Sequence, residues 1–217
     1  MLIEAYVASP AQAVVAEAEG AGRIELCGPG EGGLTPSVAA MRETLSLVRV
    51  PVHVMVRPCE GGFVYHDAEF ALMKKAVLDA KAAGAAGVVF GMLNDDGTFD
   101  VPRMRELIAL ARPLRVAVHR AFDGCADPDA GLEILLALGV DVVLTAGHAP
   151  TALEGAATLK RLVAKAGDRL VILAGGSVRA ENVHAIIAQS GVPEVHARAT
   201  SPGIIAGLAA ALRDQPR

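Results

Sequence analysis

Tryptophan is absent from this 217-residue chain, and aromatic residues of all kinds make up only 3% of it. That scarcity argues against an antibody-like sandwich and against a surface built to stack bases. Cysteine is rare too. Cys27, Cys59 and Cys125 are odd in number and lack CxxC spacing, which excludes a disulfide framework and a zinc ribbon. Neither sign of charge dominates: 20 Lys+Arg against 24 Asp+Glu leave a net charge of −4, scattered along the chain, so no nucleic-acid surface is expected. No apolar run approaches the roughly 18 residues of a membrane span. The opening stretch, Met1–Pro10, lacks the basic residues of a secretory leader, so the expectation is a cytoplasmic protein.

What is abundant is small and aliphatic. Hydrophobic residues make up 53% of the chain and 41 residues are alanine, which rules out disorder. Alanine is the best helix former, and its small side chain lets helices lie close to buried strands.

Short β-rich runs alternate with longer helical stretches. The runs are Leu2–Val7, Arg23–Cys27, Val52–Arg57, Gly87–Gly91, Arg115–His119, Val142–Thr145, Leu170–Ala174 and Glu194–Ala197. Helices are predicted near 11–21, 37–48, 68–83, 101–111, 128–138, 152–166, 180–189 and 203–213. Gly20, Gly84, Gly139 and Gly191 each end a helix just before a strand, about two strand–helix units apart. Ser9-Pro10, Thr35-Pro36 and Asp127-Pro128 read as caps followed by a proline in the first helical turn. No Ser/Gly-rich or Pro-rich linker divides the chain. Eight such units in one domain, residues 1–217, predict an α/β fold of the (β/α)8 TIM-barrel type. The competing doubly wound sheet would place glycines after the first strand, where this chain has Ala8-Ser9-Pro10.

In a barrel, chemistry gathers at the C-terminal ends of the strands. Glu4 and Glu25 lie inside apolar strands, where a carboxylate must be paired or functional. Glu25 and Arg57 end neighbouring strands, as a structural ion pair or as a pair that orients a substrate. Strand parity turns His119 to the barrel mouth, as a general acid/base or a metal ligand, with Arg120 and Asp123 next to it. Gly175, Gly176 and Ser177 form a glycine turn after the seventh strand, a place suited to an anion, with His196 and Arg198 on the next strand. Glycine-rich loops over 28–36 and 58–65 read as lids or close-approach surfaces.

Arg23-Ile-Glu-Leu-Cys27, Glu31-Gly-Gly-Leu-Thr-Pro36, Arg57-Pro58, His119-Arg-Ala-Phe-Asp123, Leu144-Thr-Ala-Gly147 and Glu194-Val-His196, in this order and at these spacings, resemble the CutC copper homeostasis family. The resemblance runs from about Leu2 to His196. It implies a TIM barrel, a cytoplasmic location and a role in copper handling. By position, Cys27 and Cys125 match cysteines that relatives often carry, whereas Tyr6 stands where many have a further cysteine. The loop after the eighth strand is short, Ala199–Pro202. Two functions follow as expectations. In one, thiolates of Cys27, Cys59 and Cys125 bind Cu(I). In the other, a barrel enzyme acts on a small anionic or phosphorylated metabolite: the Gly175–Ser177 loop holds the anion, Arg57 and Arg120 orient it, and His119 moves protons with Glu25 or Glu4. Expected partners are a copper ion or a small anion, and further copies of the chain; no nucleic acid or membrane is expected.

Overall fold

In a computed structural model, described over residues 1–213, eight parallel strands close into a ring in sequence order. Residues 214–217 of the expected domain lie outside the described residues. The strands are β1 (Leu2–Val7), β2 (Arg23–Leu26), β3 (Val52–Met55), β4 (Gly87–Phe90), β5 (Arg115–Val118), β6 (Val142–Thr145), β7 (Val171–Ala174) and β8 (Glu194–Arg198). The helices between and after them are α1 (Pro10–Ala18), α2 (Val38–Leu47), α3 (Asp67–Ala83), α4 (Val101–Ala111), α5 (Pro128–Leu138), α6 (Ala156–Ala166), α7 (Val183–Ser190) and α8 (Ile204–Arg213). This is the predicted (β/α)8 barrel.

Strand alternation sorts the side chains. On one parity Ile3, Ile24, Val54, Val88, Val116, Val118 and Ile172 face outward and pack under the helices. On the other, Tyr6, Met55, Val89, Ala117, Leu144 and Leu173 fill the interior. The usual barrel interior is stacked layers of aliphatic residues. Here the inward parity also carries Glu4, Arg23, Glu25, His53 and His196, so much of the interior is polar.

Most helix boundaries follow their local signals. The Ser9 side chain accepts from the Gln12 amide, and Asp127 accepts from the Asp129 and Ala130 amides. Gly84, Gly139 and Gly191 close α3, α5 and α7 with φ of 72–90°, a region costly to any residue with a Cβ. Three expectations are corrected. Thr35 does not cap α2; Ser37 does, accepting from the Ala40 amide. The Thr35 hydroxyl instead bridges to the backbone of Arg57, tying the two glycine-rich loops together. α6 begins at Ala156 rather than 152, because the Ala152 amide is held by the Gly176 carbonyl across the next loop. The strand predicted to end at His119 stops at Val118, and Arg120–Gly124 winds into a short 3-10 helix.

Candidate functional site

The C-terminal ends of the strands enclose a cavity of about 500 Å³. Its floor belongs to Glu25 and His196, one wall to His119 and Arg57, and the opposite wall to Gly176 and Arg179.

Below the floor lies a buried polar chain. Glu4 accepts from the Arg23 guanidinium and, at 2.8 Å, faces Nδ1 of His196. Arg23 also donates to Glu194 at 2.7 Å. Burial alone would raise Glu4, but the hydrogen bond from His196 and the charges of Arg23, His196 and His53 hold it below the usual carboxylate range. Glu4 is therefore an acceptor, which puts the Nδ1 proton on His196 and turns Nε2 toward Glu25 Oε2, 3.8 Å away. On Glu25 burial wins. It pushes that carboxyl up to about 7, with the Glu4 charge adding to the rise and His196 opposing it. The second Glu25 oxygen, Oε1, is buried without a partner. Among the described residues, Glu4, Glu25 and His196 are the one group of three metal-ligand side chains whose donor atoms lie within 4.8 Å of one another.

His119 is fixed differently. Its Nδ1 accepts from the Ala121 amide at 3.1 Å, and its ring lies 4.8 Å from that of Phe63. Burial and the Arg57 charge lower its pKa to about 3. The ring therefore stays neutral with its proton on Nε2, a buried N–H without a partner in a residue that lines the cavity. With Nδ1 occupied by the Ala121 amide, His119 offers a donor rather than a free basic nitrogen.

Arginines ring the mouth. Arg57, 6% exposed, donates through Nη1 to the Glu31 carbonyl at 2.7 Å and through Nη2 to the Gly61 carbonyl at 2.7 Å, so it pins both glycine-rich loops. The expected Glu25–Arg57 ion pair does not form. The β2–β3 register sets Glu25 opposite His53, and Arg57 lies beyond the end of β3. Arg198 stacks over Tyr6 at 4.7 Å. Arg120 pairs with Asp123, whose carboxylate also takes the Thr145 hydroxyl and the Ala146 and His148 amides. Asp123 is a brace between β5 and β6 rather than a lining residue. Gly176 lines the cavity; Gly175 and Ser177 flank it in the same turn.

The thiols do not converge. Cys27 is buried beside Glu25, its Sγ 3.8 Å from Oε2. Cys59 donates to Glu69 at 3.1 Å, and Cys125 sits 3.6 Å from Nε2 of His148 among outer core side chains. Burial raises all three thiols, Cys125 to about 11. Glu4 and Cys27 do not line the cavity. Arg23, His53, Glu194 and Arg179 escape the sequence reading as site residues, although strand parity leads from Glu25 to Arg23 on β2 and from His196 to Glu194 on β8.

Compared with known proteins, residues 1–201 match the model of the CutC family. The chain belongs to the CutC family. It is 46% identical over 201 residues to the mouse and human proteins named as copper homeostasis protein cutC homologs, covering 92% of this chain and 74% of each relative. The crystal structure of a Streptococcus agalactiae protein named as CutC superposes on this CutC chain with a TM-score of 0.87 at 30% identity, covering 92% of this chain and all of that one. The barrel alone is shared with N-(5'-phosphoribosyl)anthranilate isomerase of Pyrococcus furiosus. That match has a TM-score of 0.65 at 15% identity, over 99% of this chain and 100% of that one. No helix among the described residues is long and apolar enough to cross a membrane.

Proposed function

We propose that this CutC chain is an enzyme that moves a proton at a carbon next to a carbonyl, in a small anionic metabolite held at the barrel mouth. One observation carries the reading: Glu25, buried, half-partnered and titrating near neutrality, lies at the floor of a cavity ringed by arginines. A base poised near the working pH is what carbon deprotonation needs. His119 Nε2–H, in a neutral ring, can hydrogen-bond the carbonyl oxygen as negative charge builds on it. His196, oriented by Glu4, donates to or receives from Glu25 as the proton moves. Glu4 is a positioning residue, acting through His196. Schiff-base chemistry has no candidate, because the five lysines sit on α3 and α6 and none lines the cavity. The test is proton–deuterium exchange in D2O, followed by NMR, across phosphorylated aldoses, ketoses and keto acids. Loss of the signal of a carbon-bound proton next to the carbonyl is expected for at least one compound. No exchange in any compound that binds, or no binding at all, rejects the reading.

A second reading, copper binding in the cytoplasm, is favoured by the names of the relatives. The thiolate form of it asks for sulfur ligands close together and deprotonated. Here each thiol has its own partner and a raised pKa. Titration with Cu(I) against a competing chelator separates the cases. The expected result is the same weak affinity for the wild type and a Cys27→Ser/Cys59→Ser/Cys125→Ser variant. A tenfold or greater loss in the variant would establish the thiolate site.

A further inference from the structure

We infer that the ligand carries an anionic group at each end: a phosphate on the β7 side and a carboxylate on the β3 side. This rests on the reading of the cavity as an anion site and names the class of molecule it takes.

In an eight-stranded ring closed in sequence order, β3 and β7 are diametrically opposite. The β7 wall offers backbone donors. The amides of Gly176, Ser177 and Val178 have no acceptor among the described residues. Gly176 and Ser177 hold φ of 104° and 57°, so the chain makes a left-handed turn here, and turns with free N–H groups are places that receive phosphate oxygens. Among the described residues, Ser177 is one of two non-glycine residues in the left-handed region, a backbone state that costs of order 1 kcal/mol or more and is concentrated at functional sites. Arg179 follows directly. It spends one donor on the Val178 carbonyl at 2.7 Å and has no carboxylate partner among the described residues.

The β3 wall offers Arg57. A guanidinium carries five N–H groups. Two contacts from Nη1, to the Glu31 and Gly33 carbonyls, and one from Nη2, to the Gly61 carbonyl, account for three. Its Nε–H is buried without a partner. Glu31 gives Arg57 its carbonyl and no ion pair. A buried cation held by carbonyl dipoles and the face of Phe63, with no carboxylate paired to it among the described residues, is costly until a counter-ion arrives. The two donors left over suit a planar carboxylate.

The two walls offer donors to two separate anionic groups. An ω-phosphorylated acid spans them, and its middle carbons then lie over Glu25 and beside His119 Nε2–H. That is the same reacting centre reached from the floor of the cavity alone.

Calorimetric titration of the full chain tests this with 3-phosphoglycerate and 4-phosphoerythronate as doubly anionic probes, against glycerol 3-phosphate, glycerate and inorganic phosphate. At least one doubly anionic probe is expected to bind ten times or more tighter than every singly anionic one. Arg179→Ala should weaken glycerol 3-phosphate and the ω-phosphorylated acid alike, by tenfold or more. Arg57→Lys should weaken only the acid. If Arg57→Lys disturbs the loops, the ligand series on the wild type still decides. Equal affinity for glycerol 3-phosphate and the phosphorylated acids overturns the two-ended ligand and leaves the anion site standing. No binding of any anion removes both.

Discussion

Glu25→Gln is expected to lower proton exchange by 10²- to 10⁴-fold, the range by which a positioned acid–base group contributes, while making the barrel more resistant to alkali. The second effect follows from the sign of the shift. The Glu25 carboxyl is raised from 4.5 to about 7 in the fold. Between those values the folded chain binds a proton that the unfolded chain does not, so stability from this group is full below pH 4.5 and is lost as pH rises through 7. Glutamine is neutral throughout and loses nothing. The stability of the variant relative to wild type should therefore grow from pH 4.5 to 7 and level off above. Moving a carboxyl from 4.5 to about 7 corresponds to roughly 3 kcal/mol, part of which is shared with His196. Urea denaturation of both proteins at pH 5, 7 and 9 checks this. Parallel pH profiles would refute the raised carboxyl, and wild-type exchange by the variant would refute its role. Both effects have one cause, since the desolvation that makes Glu25 a useful base near neutrality also makes its charge a liability to the fold.

The same contrast explains what was legible in the sequence. Closure of the barrel was readable because it rests on repetition: eight apolar runs, glycines at helix ends and capped helix starts. β1 matches its expected limits, Leu2–Val7. His119 does line the cavity, because it sits one residue past β5 and the chain keeps the strand's alternation that far. Partnership was not readable. Glu25 and Arg57 end adjacent expected strands, yet pairing depends on register, and the register sets Glu25 against His53. Arg57 lies past the last β3 residue, where the chain has left the ladder and the nearest acceptors are loop carbonyls. The three cysteines lie apart for a related reason. Each follows a strand end, but the turn after β5 winds into a 3-10 helix that carries Cys125 outward against the helices, away from the mouth. Parity holds within a strand and says nothing about a loop.

Arg23→Met carries the largest expected loss of stability. Arg23 is 2% exposed and holds Glu4, equally buried, and Glu194. Methionine fills much of the same space but leaves two carboxylates facing each other inside the barrel. Breaking a buried pair by removing one partner costs about 3–5 kcal/mol, because the remaining charge stays desolvated. In a chain of this length that lowers Tm by roughly 10 °C. The loss should be smaller at pH 4 than at pH 8, because protonation relieves the orphaned carboxylates in acid, and Arg23→Met/Glu4→Gln should recover part of it. A loss under about 1 kcal/mol at pH 8 would mean that solvent reaches this cluster and that the buried chain from Arg23 to Glu25 does not exist as described. Exchange activity reads the other end of that chain. Glu4, freed from Arg23, no longer holds Nδ1 of His196 at 2.8 Å, so Nε2 loses its bearing on Glu25. The variant is therefore expected to lose activity under conditions where it remains folded, and the double variant, with a neutral amide at position 4, should regain stability without regaining the full rate.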